Sequence, residues 1–122
     1  MATSNNKQQT GRWGENKALD FLIQCGYELL ASNYRVRRAE FDLLMKDGNE
    51  LVVVEVKTRY NALLEPEKSV SKNQQKILIQ GVEEYLKMHP QYNTVRFDIV
   101  AINMHAGKMN LTHFKDAFYP SY

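Results

Sequence analysis

Two short charged patterns stand out in the chain, Glu40-Phe41-Asp42 and Glu55-Val56-Lys57, each with one apolar residue between its charged groups. Side chains on a strand alternate between faces, so each pair projects from one side of an extended segment. Three acids with one lysine suit a particular chemistry. Hard oxygen donors from two carboxylates, with a strand carbonyl and waters, match Mg²⁺ or Mn²⁺. An ion held that way activates water and stabilises charge on a phosphodiester. Lys57, two residues beyond Glu55, would face the same phosphate and steer the attacking water or stabilise developing charge. By spacing alone both patterns are weak signals, and a cross-strand salt bridge between Lys57 and the acids fits them too. Negative charge in excess of the one lysine favours the metal.

The elements that must position these residues follow from periodicity and turn chemistry. Residues 40–45 and 50–58 flank Lys46-Asp47-Gly48-Asn49, and two β-rich runs around an Asp-Gly predict a hairpin. With a two- or four-residue loop centred on Asp47-Gly48, Glu40 falls opposite Glu55 and Asp42 opposite Val53. All four charged residues then share a face, with Asp42 diagonal to Glu55 and within reach of a shared ion. A three- or five-residue loop without a bulge would separate the pairs. The valine-rich second run reads as a central strand, buried on both faces.

From Gly11 to Gly26, Ala18, Leu19, Leu22 and Ile23 recur at helical spacing, with Thr10 as N-cap and Gly26 as terminator. Glu15 lies on or beside that inward stripe. It either completes the metal site or is a first-turn glutamate favoured by the helix dipole, which is the simpler reading of Glu15 alone. Residues 28–37 read as extended. A loop over 59–70, with Pro66 near its middle, leads to a helix starting near Ser71, where Ser71 and Gln74 have capping-box spacing. The helix runs to about Met88, before Pro90, with Leu78, Val82, Tyr85 and Leu86 inward. Strands over 94–103 and 108–114 flank a turn at His105-Ala106-Gly107. Helix, three strands, helix and two strands make a single α/β domain with a mixed sheet.

At 122 residues the chain supports one domain and one sizeable core, and its 43% hydrophobic and 25% charged content is ordinary for a globular protein. The longest apolar run, Leu51 to Val54, is strand-sized, which argues against a membrane span. The polar first ten residues predict a disordered lead-in and no export. Cys25 is the only cysteine, so no intramolecular disulfide forms, and a reducing cytoplasm fits. At the end of an amphipathic helix it reads as a small buried residue. A net charge of +2 is mild. However, Arg35, Arg37 and Arg38 cluster, and Lys57, Arg59, Lys68, Lys72 and Lys76 follow. They form either a phosphate-binding surface or a solvated helix face. His89, His105 and His113 have no zinc spacing. Trp13 and the tyrosines read as packing residues, with Tyr34 and Tyr60 near enough to basic residues to serve as base-stacking platforms.

Taken together, GRWGENKALDFL, NYRVRRAEFDLLM, LVVVEVKTR and VRFDIVAI resemble the bacterial YraN-type family of proposed endonucleases. That family is similar to the PD-(D/E)xK nucleases, including archaeal Holliday-junction resolvases and RecB-like nuclease domains. The resemblance covers residues 11–118, and the nuclease-like domain is expected over 11–122 after the 1–10 lead-in. It implies a restriction-endonuclease-like α/β fold, a mixed central sheet of about five strands flanked by helices. It makes Asp42 and Glu55 the ligands of Mg²⁺ or Mn²⁺, Lys57 the catalytic lysine and Glu15 an accessory acid. It also suggests Arg59, Lys72, Gln75 and Lys76 as DNA-facing residues. Asp98 matches a family aspartate, and a structural hydrogen bond is the role expected of it. One departure is Ala39, where the family usually has glycine; a positive φ there would make alanine costly.

Three functions from different classes fit this reading. The first is a cytoplasmic metal-dependent endonuclease acting on DNA, branched or otherwise structured. As related resolvases work as dimers, a homodimer is expected with it. The second is a non-catalytic nucleic-acid-binding module that retains the fold. The third is an interaction domain whose acids and lysine form only a salt-bridge network.

Overall fold

The computed structural model describes residues 3–61 and 70–119. Its elements are α1 (Thr3–Gln24), β1 (Glu28–Val36), β2 (Ala39–Asp47), β3 (Glu50–Tyr60), α2 (Lys72–Met88), β4 (Thr94–His105) and β5 (Lys108–Phe118). They build a five-stranded sheet in the order β1-β2-β3-β4-β5. β3 and β4 run parallel and all other neighbours antiparallel. A parallel pair cannot be closed by a hairpin, so α2 is placed in the crossover between them. The expected mixed sheet is therefore present. Pro66 and Lys68, in the expected loop, lie outside the described residues.

Alternation along the strands splits the core into two layers. Under α1, Ala18, Leu22 and Tyr27 pack with Leu43, Met45, Val52, Val54, Val100 and Ile102. Under α2, Leu78, Val82 and Tyr85 pack with Phe41, Leu44, Leu51, Val53, Phe97 and Ile99. β3 is buried on both sides over Leu51–Glu55, as a central strand should be. α2 starts at its expected cap, the Ser71 hydroxyl accepting from Gln74 N at 3.1 Å. Of its expected inward stripe, Leu78, Val82 and Tyr85 are buried and Leu86 only partly so.

The start of α1 differs from the expectation. It begins at Thr3, so Thr10 is not an N-cap. Once Ala18 and Leu22 anchor the helix, each further residue adds a bond without a new nucleation cost, and Lys and Gln propagate well. Its end is a Schellman closure: Tyr27 N donates to Leu22 O at 3.0 Å and Gly26 N to Ile23 O at 2.9 Å, with Gly26 at φ 95°. Cys25 lies in this closing turn and is exposed rather than buried, because the helical stripe ends before it. Ile23, also expected to face inward, is half exposed.

Each helix carries a glycine where it comes closest to the sheet. A Cβ on Gly81 of α2 would stand 2.5 Å from Ala39 Cβ, and one on Gly14 of α1 would stand 2.2 Å from Thr58 Oγ1. A mid-helix glycine costs about 1 kcal/mol against alanine, and here the close approach is the return. The contact also settles the role of Ala39. The positive φ of the β1–β2 turn falls on Arg37, at 55°, and Ala39 fits its strand without strain.

The far end of the sheet is tied by Asp98, fully buried at a register shift in the β4–β5 ladder. Oδ1 accepts from Arg96 Nε at 2.8 Å and from Asp116 N at 3.0 Å. Oδ2 lies 2.7 Å from His113 Nε2 and accepts from Tyr27 Oη at 3.3 Å. Arg96 extends the network to Asp47 and Glu50 at 3.2 and 3.0 Å. Burial alone would raise the Asp98 pKa, but the hydrogen bonds from His113, Arg96 and Asp116 prevail and hold it low. Its structural role is as expected. Asp98→Ala should cost about 3–5 kcal/mol in denaturant unfolding, since Arg96, His113, Tyr27 and Asp116 N lose their shared buried acceptor, even though Arg96 keeps Asp47 and Glu50. Because the folded pKa is depressed, this stabilisation is complete above the unfolded value and lost as pH falls through the folded one. A loss below about 1 kcal/mol, the scale of exposed pairs, would refute this role.

Candidate functional site

The site forms where β2 and β3 part. Their ladder runs from Asp47↔Glu50 to Leu43↔Val54 and stops there. The turn is Gly48-Asn49, with Gly48 at φ 63°, so the register is displaced by two from that expected. Asp47 stays in the strand because it and Glu50 both bind Arg96. Continued, this register would set Asp42 opposite Glu55 and Glu40 opposite Lys57. Instead the Asp42 carboxylate takes the place of a strand partner, its Oδ2 accepting from Val56 N at 2.9 Å. Alternation on β2 also slips here. Phe41 and Leu44 both pack under α2, whereas Leu43 and Met45 pack under α1. The charged residues are thus gathered by a parting of strands rather than by one flat face.

The parting opens a cavity of about 690 Å³ lined by Glu15, Glu40, Asp42, Glu55, Lys57, Arg38, Arg59 and Gln74, among others. All four residues expected to do chemistry meet there. Glu15 arrives from α1 because Gly14 seats that helix against Thr58 on β3. Asn33 Nδ2 donates to Glu15 Oε1 at 3.2 Å. Asn33 sits at φ 50° within β1, a left-handed geometry that asparagine tolerates better than most residues. From α2, Gln74 Nε2 donates to Glu55 Oε1 at 3.1 Å. Glu40 lines the cavity but is tied to Arg35 across the β1–β2 pair at 3.0 Å.

The carboxylates are not balanced by the cations around them. Glu55 is 3% exposed, and its Oε2 is buried without a hydrogen-bond partner among the described residues. Burial, then repulsion from Asp42, pushes its pKa up to about 8 despite the opposing pull of Lys57. Asp42 is raised chiefly by burial, against the Val56 hydrogen bond and Lys57. Glu15 is raised by burial and, after the lowering effect of Asn33, by Asp42 and Glu40. Lys57 makes no direct ion pair among the described residues. The alternative of a closed salt-bridge network is therefore disfavoured. No three acidic, histidine or cysteine side chains among the described residues form a ready cage for a metal. Mg²⁺ does not require one, since it keeps several waters and takes one or two carboxylates together with substrate phosphate. Asp42 and Glu55, with one unmatched buried oxygen, fit that donor set.

The expected DNA-facing residues divide. Arg59 lines the cavity, with NH1 on Thr58 O at 3.1 Å. Lys72 and Lys76 are exposed at the start of α2, outside the cavity lining. Gln75 is turned away, its Nε2 donating to Val70 O at 2.9 Å. Its neighbour Gln74 is the residue that reaches the acids. Capping-box spacing assigns the Gln74 side chain to the Ser71 backbone, but it reaches Glu55 instead, as its position one turn from Leu78, at the edge of the inward stripe, allows. Trp13 and Tyr34 pack against the two cores, while Tyr60 is exposed.

A five-stranded mixed sheet with a helix on each face, and acids gathered where two central strands part, defines a restriction-endonuclease-like α/β domain. Residues 14–102 match the uncharacterised protein family UPF0102, the YraN-type group, and the chain belongs to that family. It is 37% identical to a UPF0102 protein of Bacteroides thetaiotaomicron, over 92% of this chain and 93% of that one. It is 40% identical to one of Caldicellulosiruptor bescii, over 93% and 99%, and 36% identical to one of Chlorobium chlorochromatii, over 98% of each. These names state a family and no activity. No described helix is long and apolar enough to cross a membrane.

Two stability measurements test this geometry. A raised carboxylate favours folding below its unfolded pKa and loses that advantage as pH rises through the folded value, so ionised Glu55 opposes folding near pH 8. Glu55→Gln, which keeps the acceptor for Gln74, should raise metal-free stability there by on the order of 1–2 kcal/mol and change it little near pH 4. A destabilised Glu55→Gln at the higher pH would show that the site charge is already compensated. Gly14→Ala should cost roughly 1–3 kcal/mol by overpacking. Adding Thr58→Ala should recover most of that loss; strict additivity in this double-mutant cycle would remove the proposed α1–β3 contact.

Proposed function

We propose that this protein is a metal-dependent endonuclease of the cytoplasm that hydrolyses phosphodiester bonds in DNA, with branched or otherwise structured DNA as its substrate. One observation carries the reading: three carboxylates of raised pKa and Lys57 line a single open cavity, and among the described residues Lys57 has no ion pair and the buried Glu55 Oε2 no hydrogen-bond partner. Asp42 and Glu55 would hold Mg²⁺ or Mn²⁺, which when bound supplies Lewis-acid stabilisation of charge on the phosphodiester. The remaining work falls to the chain. Lys57, which has no direct ion pair among the described residues, faces the phosphate and stabilises the negative charge that builds up as the bond breaks. Glu15, held by Asn33, orients water at the edge of the site. Gln74 fixes Glu55 through one oxygen and leaves the other to bind. Arg59 supports a flanking phosphate. Cutting both strands of a branched DNA calls for two such sites, and we infer a homodimer on that ground.

The test incubates the purified protein with labelled four-way junction, flap, single-stranded and duplex DNA, in Mg²⁺, Mn²⁺ or EDTA. Cleavage should require the metal, be lost in Asp42→Asn, and fall at least roughly 100-fold in Lys57→Ala. Salt-sensitive binding without cleavage under any metal would overturn the nuclease and leave a DNA-binding module.

A further inference from the structure

Beside the acid cavity lies a smaller cleft of about 170 Å³, lined by Val36, Arg37, Arg38, Ile77, Gln80 and Gly81. The two hollows share Arg38 and Ile77 in their walls. The three arginines around the β1–β2 turn are not alike. Arg35 is paired with Glu40 at 3.0 Å and Arg37 with Glu84 at 3.5 Å. Arg38 has no hydrogen-bond or ion-pair partner among the described residues, and it is the one that stands between the hollows.

The wall chemistry of the cleft differs from that of the acid cavity. It has no carboxylate. Its apolar surface comes from Val36, Ile77 and the bare helix backbone at Gly81, where the absent side chain leaves α2 low against Ala39. Two guanidinium groups and the Gln80 amide supply the polar edge. A flat heteroaromatic ring suits such a wall, because guanidinium planes stack on bases and side-chain amides bond to base edges. A phosphate beside an unpaired arginine completes a nucleotide.

We propose that this cleft is a subsite for an unpaired base of the DNA strand held in the acid cavity, with Arg38 gripping the phosphate between the two. The proposal rests on the nuclease reading and extends it. A base can enter such a cleft only when it is out of the helical stack, so the subsite selects single-stranded arms, flaps and branch points over continuous duplex. Arg38 is a positioning residue here, removed from the reacting atoms, and the cleft wall with Gln80 supplies the discrimination.

The test measures fluorescence anisotropy of DNA binding by the Lys57→Ala protein in Mg²⁺, so that binding is read without cleavage. The probes are a labelled duplex with a single-stranded arm, the same DNA with abasic nucleotides in the arm, and a fully paired duplex. The intact arm should bind about 10-fold tighter than the abasic arm, the scale of one stacked base. Adding Arg38→Met should weaken both arms alike and lower the salt dependence by about one counterion, whereas Gln80→Ala should erase most of the difference between intact and abasic arms. The proposal is overturned if intact and abasic arms bind equally while DNA is still bound, if their difference survives Gln80→Ala, or if Arg38→Met leaves both the affinity and its salt dependence unchanged. Failure of all three probes to bind would instead overturn the DNA reading itself, and the subsite with it.

Discussion

The site depends on one exchange of hydrogen-bond partners. Val56 N–H leaves the β2–β3 ladder and bonds the Asp42 carboxylate. Separating two central strands ordinarily leaves backbone groups unpaired in the interior, at about 1–3 kcal/mol each. Asp42 meets that demand from its own side chain, so the strands part past Leu43 and Val54 without an orphaned Val56 donor. The room opened is the acid cavity. The same bond commits one oxygen of Asp42, and the Gln74 bond commits one oxygen of Glu55. Each carboxylate is thereby held in place with an oxygen to spare.

Asp98 uses the same device with the opposite outcome. It too sits at a break in a ladder, between β4 and β5, and accepts a stranded backbone donor from Asp116. Around Asp98, however, Arg96, His113 and Tyr27 occupy both oxygens, and its pKa is held down. At Asp42 and Glu55 the opposing charge is that of Lys57, which has no direct ion pair among the described residues, and burial wins: both pKa values rise. Two aspartates with similar backbone roles, one buried and one half-buried, thus differ in charge balance. The balanced one closes the far end of the sheet. The unbalanced one is where a ligand of positive charge would be stabilised, and this contrast locates the site better than burial or acidity alone.

Much of this was legible because the chemistry lies on regular elements. E-x-D and E-x-K on strands, and Glu15 beside an amphipathic stripe, identified residues that do converge. The Ser71 cap and the stop before Pro90 fixed α2 because capping is local. What failed was set by contacts distant in sequence. The hairpin register shifted by two because Arg96, on another strand, retains Asp47 in β2. Gln74 rather than Gln75 reaches the acids because Gly81 sets how α2 lies on Ala39. Asn33 carries no motif, and its role needs both the left-handed turn in β1 and the nearness of α1. Cys25 was misplaced by extending a helical stripe one residue past the helix it belonged to.

The distribution of charge around the cavity also constrains how a polyanion would enter it. Glu55 is deeply buried and Asp42 half-buried, while Arg38 and Arg59 are exposed. An approaching polyanion would therefore meet positive charge first, at the rim, and negative charge at the floor. Without a cation the floor repels the phosphate that the rim attracts, and in a site of low dielectric that repulsion outweighs a screened surface attraction. A dication between floor and phosphate removes the conflict, relieving the mutual repulsion of the carboxylates in the same act. Metal and DNA would then bind with positive coupling, each favouring the other, and by linkage the effect is reciprocal. A rim and floor of opposite sign would make sense of a Glu55 oxygen left without a partner among the described residues at a cost in stability: it would tie engagement of the strand to possession of the ion.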